Sequence, residues 1–428
     1  MPAPSTEKTL SPKLRIAVWH NLPSGGGKRA LFYHVKGLIE RGHYVEAWCP
    51  STADQQYLPL SEIITEHVVP FTARRNGQYC GHTIPPAHAI RERLRAMEET
   101  CQTCAHMMTK KNFDVLFSNA CLFFRTSPIT RMVHIPSVLY LGEPYRWFYE
   151  ALPHLPWKAE PNNTNVSSLL EAILQRKRRR KGLEALMEQV REEYNNAKTT
   201  DLILVNSLFS RESVIRAYGL DAEVCYLGID TTLFNPMTQN KKRYVVGMGS
   251  ISEGKRIDRA IRALATIPIT KRPPLIWIAN MEAPTYRRHM EELAEHLQVS
   301  ISFHVAIPDN ELVRLLSNAS CMLYVPQLEP FGFAPLEANA CGTPVVALAE
   351  GGVRESVHNG VNGYIIESNQ PTLLGEKILE LISDPEKAVK MGKAARSYVE
   401  HHWTWEKAIN ALEQKLYNAI SQKIVFTQ

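Results

Sequence analysis

EPFGFAPLEANACGTPVVALAEGGVRESVHNGVNG, residues 329–363, decides how the rest of this chain is read. Two carboxylates, Glu329 and Glu337, are separated by seven residues, with a Phe-Gly-Phe turn between them. Pro335 suits the first turn of a helix, where a missing N–H costs nothing. The apolar run Cys321–Val325 comes just before. The pattern is strand, loop, helix. Such a loop can aim backbone N–H groups and the helix N-terminus at an anion. Glu337 falls close to whatever that anion is attached to. A phosphate flanked by hydroxyls that need acceptors fits, as in a sugar nucleotide. Acids solvated at the positive end of a helix give the same pair, and two Glu at this spacing do not separate the readings. The surroundings do: Gly332, Gly342, Pro344, Gly351, Gly352 and Glu355 all fall at loop positions around the pair.

Outward from this block, short apolar runs alternate with helical spacing through nearly the whole chain. Strands are expected at Leu14–Trp19, Tyr44–Cys49, Val115–Phe117, Val138–Leu141, Leu202–Val205 and Val224–Leu227. A second set is expected at Tyr244–Met248, Leu275–Ala279, Ile301–Val305, Met322–Val325 and Val345–Leu348. Repeated βα alternation argues for parallel, doubly wound sheets. Eleven strands exceed what one small domain needs, so the α/β chain is expected to form two Rossmann-like domains, 14–235 and 243–403. Residues 1–13 are expected as a disordered tail and 404–421 as a final helix.

The chain has 428 residues, ample for two cores. Its net charge of +6 is mild, permitting contact with anionic ligands or surfaces without demanding it. No 18-residue apolar run occurs, so no membrane span is expected, and the polar start lacks a signal-peptide core. Of eight cysteines, Cys49, Cys225 and Cys321 lie in strand-like runs and read as buried thiols. Cys101 and Cys104 form a lone CxxC near His106, either packing residues or half of a metal site. A reducing, cytoplasmic setting is the simplest expectation.

Other candidates surround the cleft that two such domains would make. The first strand runs into Asn21-Leu-Pro-Ser-Gly25-Gly26-Gly27-Lys28. Gly26 and Gly27 allow a tight turn and close backbone approach to a phosphate. The second domain opens with a strand followed by Gly249-Ser250-Ile-Ser-Glu-Gly-Lys255-Arg256. Asn280 and Val305 end strands on the ligand side of that sheet. After the fourth expected strand, Glu143 is read either as a polar group of the site or as the ion-pair partner of Arg146. Asn206 either faces ligand or caps a helix. Arg176–Lys181, RKRRRK, lies in a helical stretch with Leu169, Leu170, Ile173, Leu174, Leu183, Leu186 and Met187. It is a solvated face or a membrane-surface contact. Nucleic acid is not expected, because no further basic patches with interleaved aromatics accompany it.

The quoted block, Asn206-Ser207-Leu-Phe-Ser210, Tyr226-Leu-Gly228-Ile-Asp230 and the Gly249–Asp258 stretch together resemble retaining glycosyltransferases of the GT-B fold, glycosyltransferase family 4. The resemblance implies a nucleoside-diphosphate-sugar donor, most simply a UDP- or GDP-sugar, on the C-terminal domain and an acceptor domain before it. It also implies a final helix crossing back, no cofactor and no metal. It makes Lys255 a diphosphate contact, with Ser250 where an Arg is usual and Arg256 a substitute. Gly142 stands where relatives often carry a His, leaving Glu143 as a candidate for the polar role. Catalysis is then expected of Glu329, Lys255 and Glu143. Donor binding is expected of Gly26, Gly27, Ser250, Arg256, Asn280, Val305, Gly332, Phe333, Ala334 and Glu337. The basic stretch tilts the acceptor toward a lipid-linked or membrane-surface glycan at the cytoplasmic face. Rival readings are an epimerase of the same fold, a phosphorylase, and a non-catalytic sugar-nucleotide binder.

Overall fold

A computed structural model of the protein describes residues 12–73, 86–150, 169–237 and 241–427. The first sheet contains β1 (Arg15–Asn21), β2 (Tyr44–Pro50), β3 (Thr65–Val69), β4 (Val115–Cys121), β5 (Ser137–Tyr140), β6 (Leu202–Val205) and β7 (Glu223–Val224). Their order is β3-β2-β1-β4-β5-β6-β7. The second contains β8 (Lys242–Met248), β9 (Leu275–Ala279), β10 (Ile301–Val305), β11 (Ala319–Tyr324), β12 (Val345–Leu348) and β13 (Gly363–Ile366), in the order β10-β9-β8-β11-β12-β13. Every pairing is parallel. Parallel strands are covered on both faces, so they read as unbroken apolar runs. β12, VVAL, shows this, with all four residues buried.

The described residues thus hold thirteen strands where eleven were expected. β3, TEHVV, carries three polar side chains and is a half-exposed edge strand. β13 is a four-residue edge strand that follows a turn-like HNGVNG. The expected strand Val224–Leu227 is shorter: Cys225 still donates to Val205 at 2.8 Å, but the chain then leaves the sheet edge.

The chain passes between the two sheets twice, once after Asp230 and once at Trp403–Thr404. The crossings lie side by side. Ile229 donates to the Trp403 carbonyl at 2.7 Å, and a Cβ on Gly228 would meet the Trp405 nitrogen at 2.3 Å. Arg396, on the helix Pro385–His402, ties the first crossing to the second domain, donating to the carbonyls of Thr231 at 3.0 Å and Ala340 at 2.8 Å. The final helix, Trp405–Thr427, packs on the first domain against α1 (Gly26–Glu40). Its Leu412, Leu416 and Ala419 are buried in that core, and Glu413 accepts from Arg41 at 2.7 Å and His43 at 2.8 Å.

The basic stretch lies in the helix Leu169–Lys198. Ile173, Leu174 and Met187 on this helix are about half exposed beside the cations. The other end is anchored by buried Glu193, which accepts from Gln189 at 2.9 Å and Tyr218 at 3.3 Å. Burial pushes its carboxyl up to about 7, although both hydrogen bonds and nearby Arg125 oppose the rise. A raised native value means the folded state binds the extra proton, so stability falls as pH rises from about 4.5 to about 7. Glu193→Gln is expected to remove that slope and add up to about 3 kcal/mol at pH 8. Denaturant unfolding at pH 5 and pH 8 measures it, and an unchanged slope would exclude Glu193 as the source.

Candidate functional site

The site forms where the carboxyl edges of the two sheets face each other. In the second domain, β11 ends and the chain turns at Leu328 into Glu329. Leu328, Arg256 and Ala306 all have positive φ, 51°, 51° and 53°, at this edge. Such backbone costs a non-glycine residue on the order of 1–2 kcal/mol and clusters where geometry is functional. Gly332 then takes φ +88°, with the Tyr324 hydroxyl 2.8 Å from where a Cβ would stand. The helix Phe333–Ala340 starts directly after it. Gly351 and Gly352 lie flat on the turn from behind. The Glu329 carbonyl is 2.2 Å from a Cβ on Gly351, and Gly352 donates to that carbonyl at 2.9 Å.

Lys255 and Glu329, 74 residues apart, meet here at 2.7 Å. Burial works against charge on Glu329, but Lys255 and Arg146 outweigh it and hold its carboxyl below the usual carboxylate range. Arg146 comes from the first domain, so the charge on Glu329 is balanced from both sides of the cleft. Glu143 bonds to Arg146 and lies 3.7 Å from Arg125. Of its two sequence readings, the ion pair is the one present. Gly142 adopts φ +72°, and a Cβ there would stand 3.9 Å from the Asn206 amide nitrogen.

The two glycines of the first domain close on the second. A Cβ on Gly26 would be 3.4 Å from the Phe333 ring, whereas Gly27 backs onto Leu22. Ser250 faces Ser252 at 3.0 Å. Arg256 pairs with Asp258 through two bonds of 2.9 Å and with Gln327 at 3.2 Å. Asn280 is exposed and Val305 half-buried, at the ends of β9 and β10. Ser207, rather than Asn206, caps the helix Leu208–Tyr218, accepting from Ser210 N–H at 2.9 Å. Asn206 instead accepts from the Ser210 hydroxyl at 2.8 Å. A seam joins the domains beside the cleft. Glu355 accepts from the N–H groups of Leu208 at 2.9 Å and Phe209 at 3.2 Å, and from the Tyr226 hydroxyl at 2.9 Å.

Arg29 escaped the sequence reading. From the first turn of α1 it bonds to Glu337, which is 2% exposed. The same guanidinium donates to the Tyr57 hydroxyl at 3.1 Å and lies 5.4 Å from the centre of the Phe333 ring. The carboxylate of Glu337 raises the arginine above its ordinary value against the effect of burial. A sequence signal existed: a cation in the first turn opposes the helix dipole and needs a partner elsewhere. Lys28, beside it, turns inward and is fully buried. His20, Cys49 and Glu66 bring ligand atoms within 4.8 Å of one another there. Lys28 is close enough to feel Glu66 and Cys49, while burial lowers its ammonium below the usual lysine value. Cys101 and Cys104 are buried in the apolar core while His106 faces solvent, so the three do not form a ligand set.

Residues 229–398 match the family model of glycosyl transferases group 1. Human alpha-1,3/1,6-mannosyltransferase ALG2 is 27% identical over 260 residues, covering 55% of this chain and 61% of the relative. A GDP-mannose-dependent alpha-(1-6)-phosphatidylinositol monomannoside mannosyltransferase of Mycolicibacterium smegmatis is 28% identical over 228 residues, covering 48% and 59%. The chain thus spans under two thirds of the length of these curated relatives. Among solved structures, Anabaena Alr3699/HepE in complex with UDP and glucose superposes with a TM-score of 0.66 at 18% identity, covering 94% of this chain and 99% of that one. WaaG, a glycosyltransferase involved in lipopolysaccharide biosynthesis, gives 0.61 at 16% identity, covering 92% and 98%. These likenesses identify the architecture as GT-B.

Proposed function

We propose that this chain, whose residues 229–398 form a glycosyl transferases group 1 domain on a GT-B fold, moves a hexosyl group from a UDP- or GDP-sugar to an acceptor hydroxyl with retention of configuration. The observation that carries the reading is the 2.7 Å contact of Lys255 with Glu329. It lies beside the Gly332–Phe333 helix start and opposite the Gly26 loop.

In this mechanism the donor lies in the cleft with its diphosphate between those two elements. The bond from the anomeric carbon to the diphosphate oxygen breaks, and the acceptor oxygen bonds to the same face of the sugar. The acceptor proton passes to the departing phosphate. Charge grows on that phosphate, and Lys255 with the N–H groups of Gly332 and Phe333 is placed to neutralise it. Lys255 and these backbone donors take the part a metal would otherwise play. Glu329 holds sugar hydroxyls and favours positive charge on the ring. Domain closure keeps water from intercepting that cation.

The relatives' printed names, a mannosyltransferase and a phosphatidylinositol mannoside mannosyltransferase, support a mannosyl-type donor and a lipid-linked acceptor. The exposed cations and apolar side chains of the helix Leu169–Lys198 support contact with an anionic membrane surface. No helix among the described residues is long and apolar enough to cross a membrane. The basic helix and the phosphatidylinositol acceptor in that relative's name support a working location at the cytoplasmic face of a membrane.

Nucleotide release from UDP-, GDP- and ADP-sugars, with and without lipid extract and in the presence of EDTA, tests the whole reading. Release is expected with one base, rising with extract and indifferent to EDTA. Absence of release from every donor in the presence of extract would overturn it, and loss of release in EDTA would overturn metal independence.

A further inference from the structure

We infer that Arg29 is a specificity residue that trades one anion for another: its guanidinium holds Glu337, and on donor binding it moves to the diphosphate while the ribose hydroxyls take Glu337. This rests on the reading of the cleft as a nucleotide-sugar site.

The argument begins with Glu337. A carboxylate 2% exposed cannot be left without donors, since burying an unpaired charge costs several kcal/mol. Arg29 meets that need from the opposite domain. The arginine is itself poorly placed by its own helix. It stands in the first turn of α1, where the aligned peptide dipoles favour an anion. Its position is therefore good only while a carboxylate or phosphate faces it. Tyr57 and the Phe333 ring steady the guanidinium without neutralising it. The tyrosine is fixed in turn, its N–H donating to Asp54 at 2.7 Å.

A nucleotide arriving at Glu337 brings two vicinal hydroxyls, which can donate to the carboxylate in place of Arg29. The displaced guanidinium then needs a new anion. The nearest anion the donor offers is its diphosphate, held at the Gly26–Gly27 turn, and Arg29 follows that turn by two residues. Its 28% side-chain exposure leaves room for the shift, and its planar fork suits a phosphate. The exchange makes binding depend on both halves of the ligand. A nucleoside alone would evict Arg29 and give it nothing in return. A nucleoside diphosphate satisfies both Glu337 and Arg29.

The test is calorimetric titration of the full chain with UDP, GDP and ADP, and with uridine, guanosine and adenosine, for wild type, Arg29→Met and Arg29→Lys. With the matching base, Arg29→Met is expected to weaken the diphosphate about tenfold and to strengthen the nucleoside several-fold. Arg29→Lys, which keeps a cation and loses the fork, is expected between the two. Thermal melting of each variant separates a folding defect from a binding change. If both affinities move in the same direction, or neither moves, the exchange is overturned while the nucleotide site stands. If wild type binds none of the diphosphates, the reading of the site falls and the exchange with it.

Discussion

Lys255→Ala lowers turnover about a hundredfold, the equivalent of roughly 3 kcal/mol of transition-state stabilisation. The expectation rests on where the charge must go. Departure of the diphosphate concentrates negative charge at the cleft. Arg256, the next cation in sequence, is committed to Asp258 and Gln327, and Ser250 carries none. Lys255 is thus the side-chain cation of the second domain placed for the leaving group. The loss should fall mainly on kcat, because the interaction strengthens as the bond breaks. Glu329 gives the internal check. Its single substitution should also be severe, and the double variant should cost far less than the sum, because the two groups act as one unit at 2.7 Å. Steady-state kinetics on the donor found by nucleotide release measure both. Additive losses, or wild-type turnover in Lys255→Ala, would remove Lys255 from the mechanism.

Gly351→Ala is expected to destabilise the chain by about 2–5 kcal/mol and to abolish turnover together with it. Two independent terms add. The residue has φ +73°, which costs a non-glycine residue about 1–2 kcal/mol. A Cβ there would also lie 2.2 Å from the Glu329 carbonyl, and relieving such overlap costs about 1–3 kcal/mol more. The atom that must yield is backbone, so relief comes by moving Glu329 itself. Denaturant unfolding and turnover measured on the same preparation check this. Full activity with native stability would show that the turn tolerates the shift and that Glu329 need not be held so closely.

Much of the architecture was legible because parallel strands bury both faces. β4, β6, β9, β11 and β12 announce themselves as apolar runs between helical patterns. β3 and β13 do not, since an edge strand has neighbours on one side and tolerates Thr, Glu, His or Gly. The quoted block also carried its own geometry: Phe-Gly-Phe can only be followed by a helix if the glycine turns the chain, and Gly332 does. What a single sequence withholds is pairing across domains. Nothing local in GGGKR says that Arg29 reaches across 308 residues to Glu337, or that Lys28 turns inward beside it. Adjacency to Lys255 made Arg256 a natural phosphate contact, but nothing local showed that its fork also reaches Asp258 and Gln327.

The paired chain crossings give the molecule a mechanical property of its own. A lone tether would let the lobes twist, slide and swing. Two tethers fixed side by side, with Ile229 bonded to Trp403 across them, leave chiefly one freedom, a swing about the line that joins them, as the covers of a book turn on its spine. Alignment of the lobes is then kept by the spine rather than by contacts at the open edge. Ion pairs in the cleft can break and re-form in every catalytic cycle without the two halves losing their place.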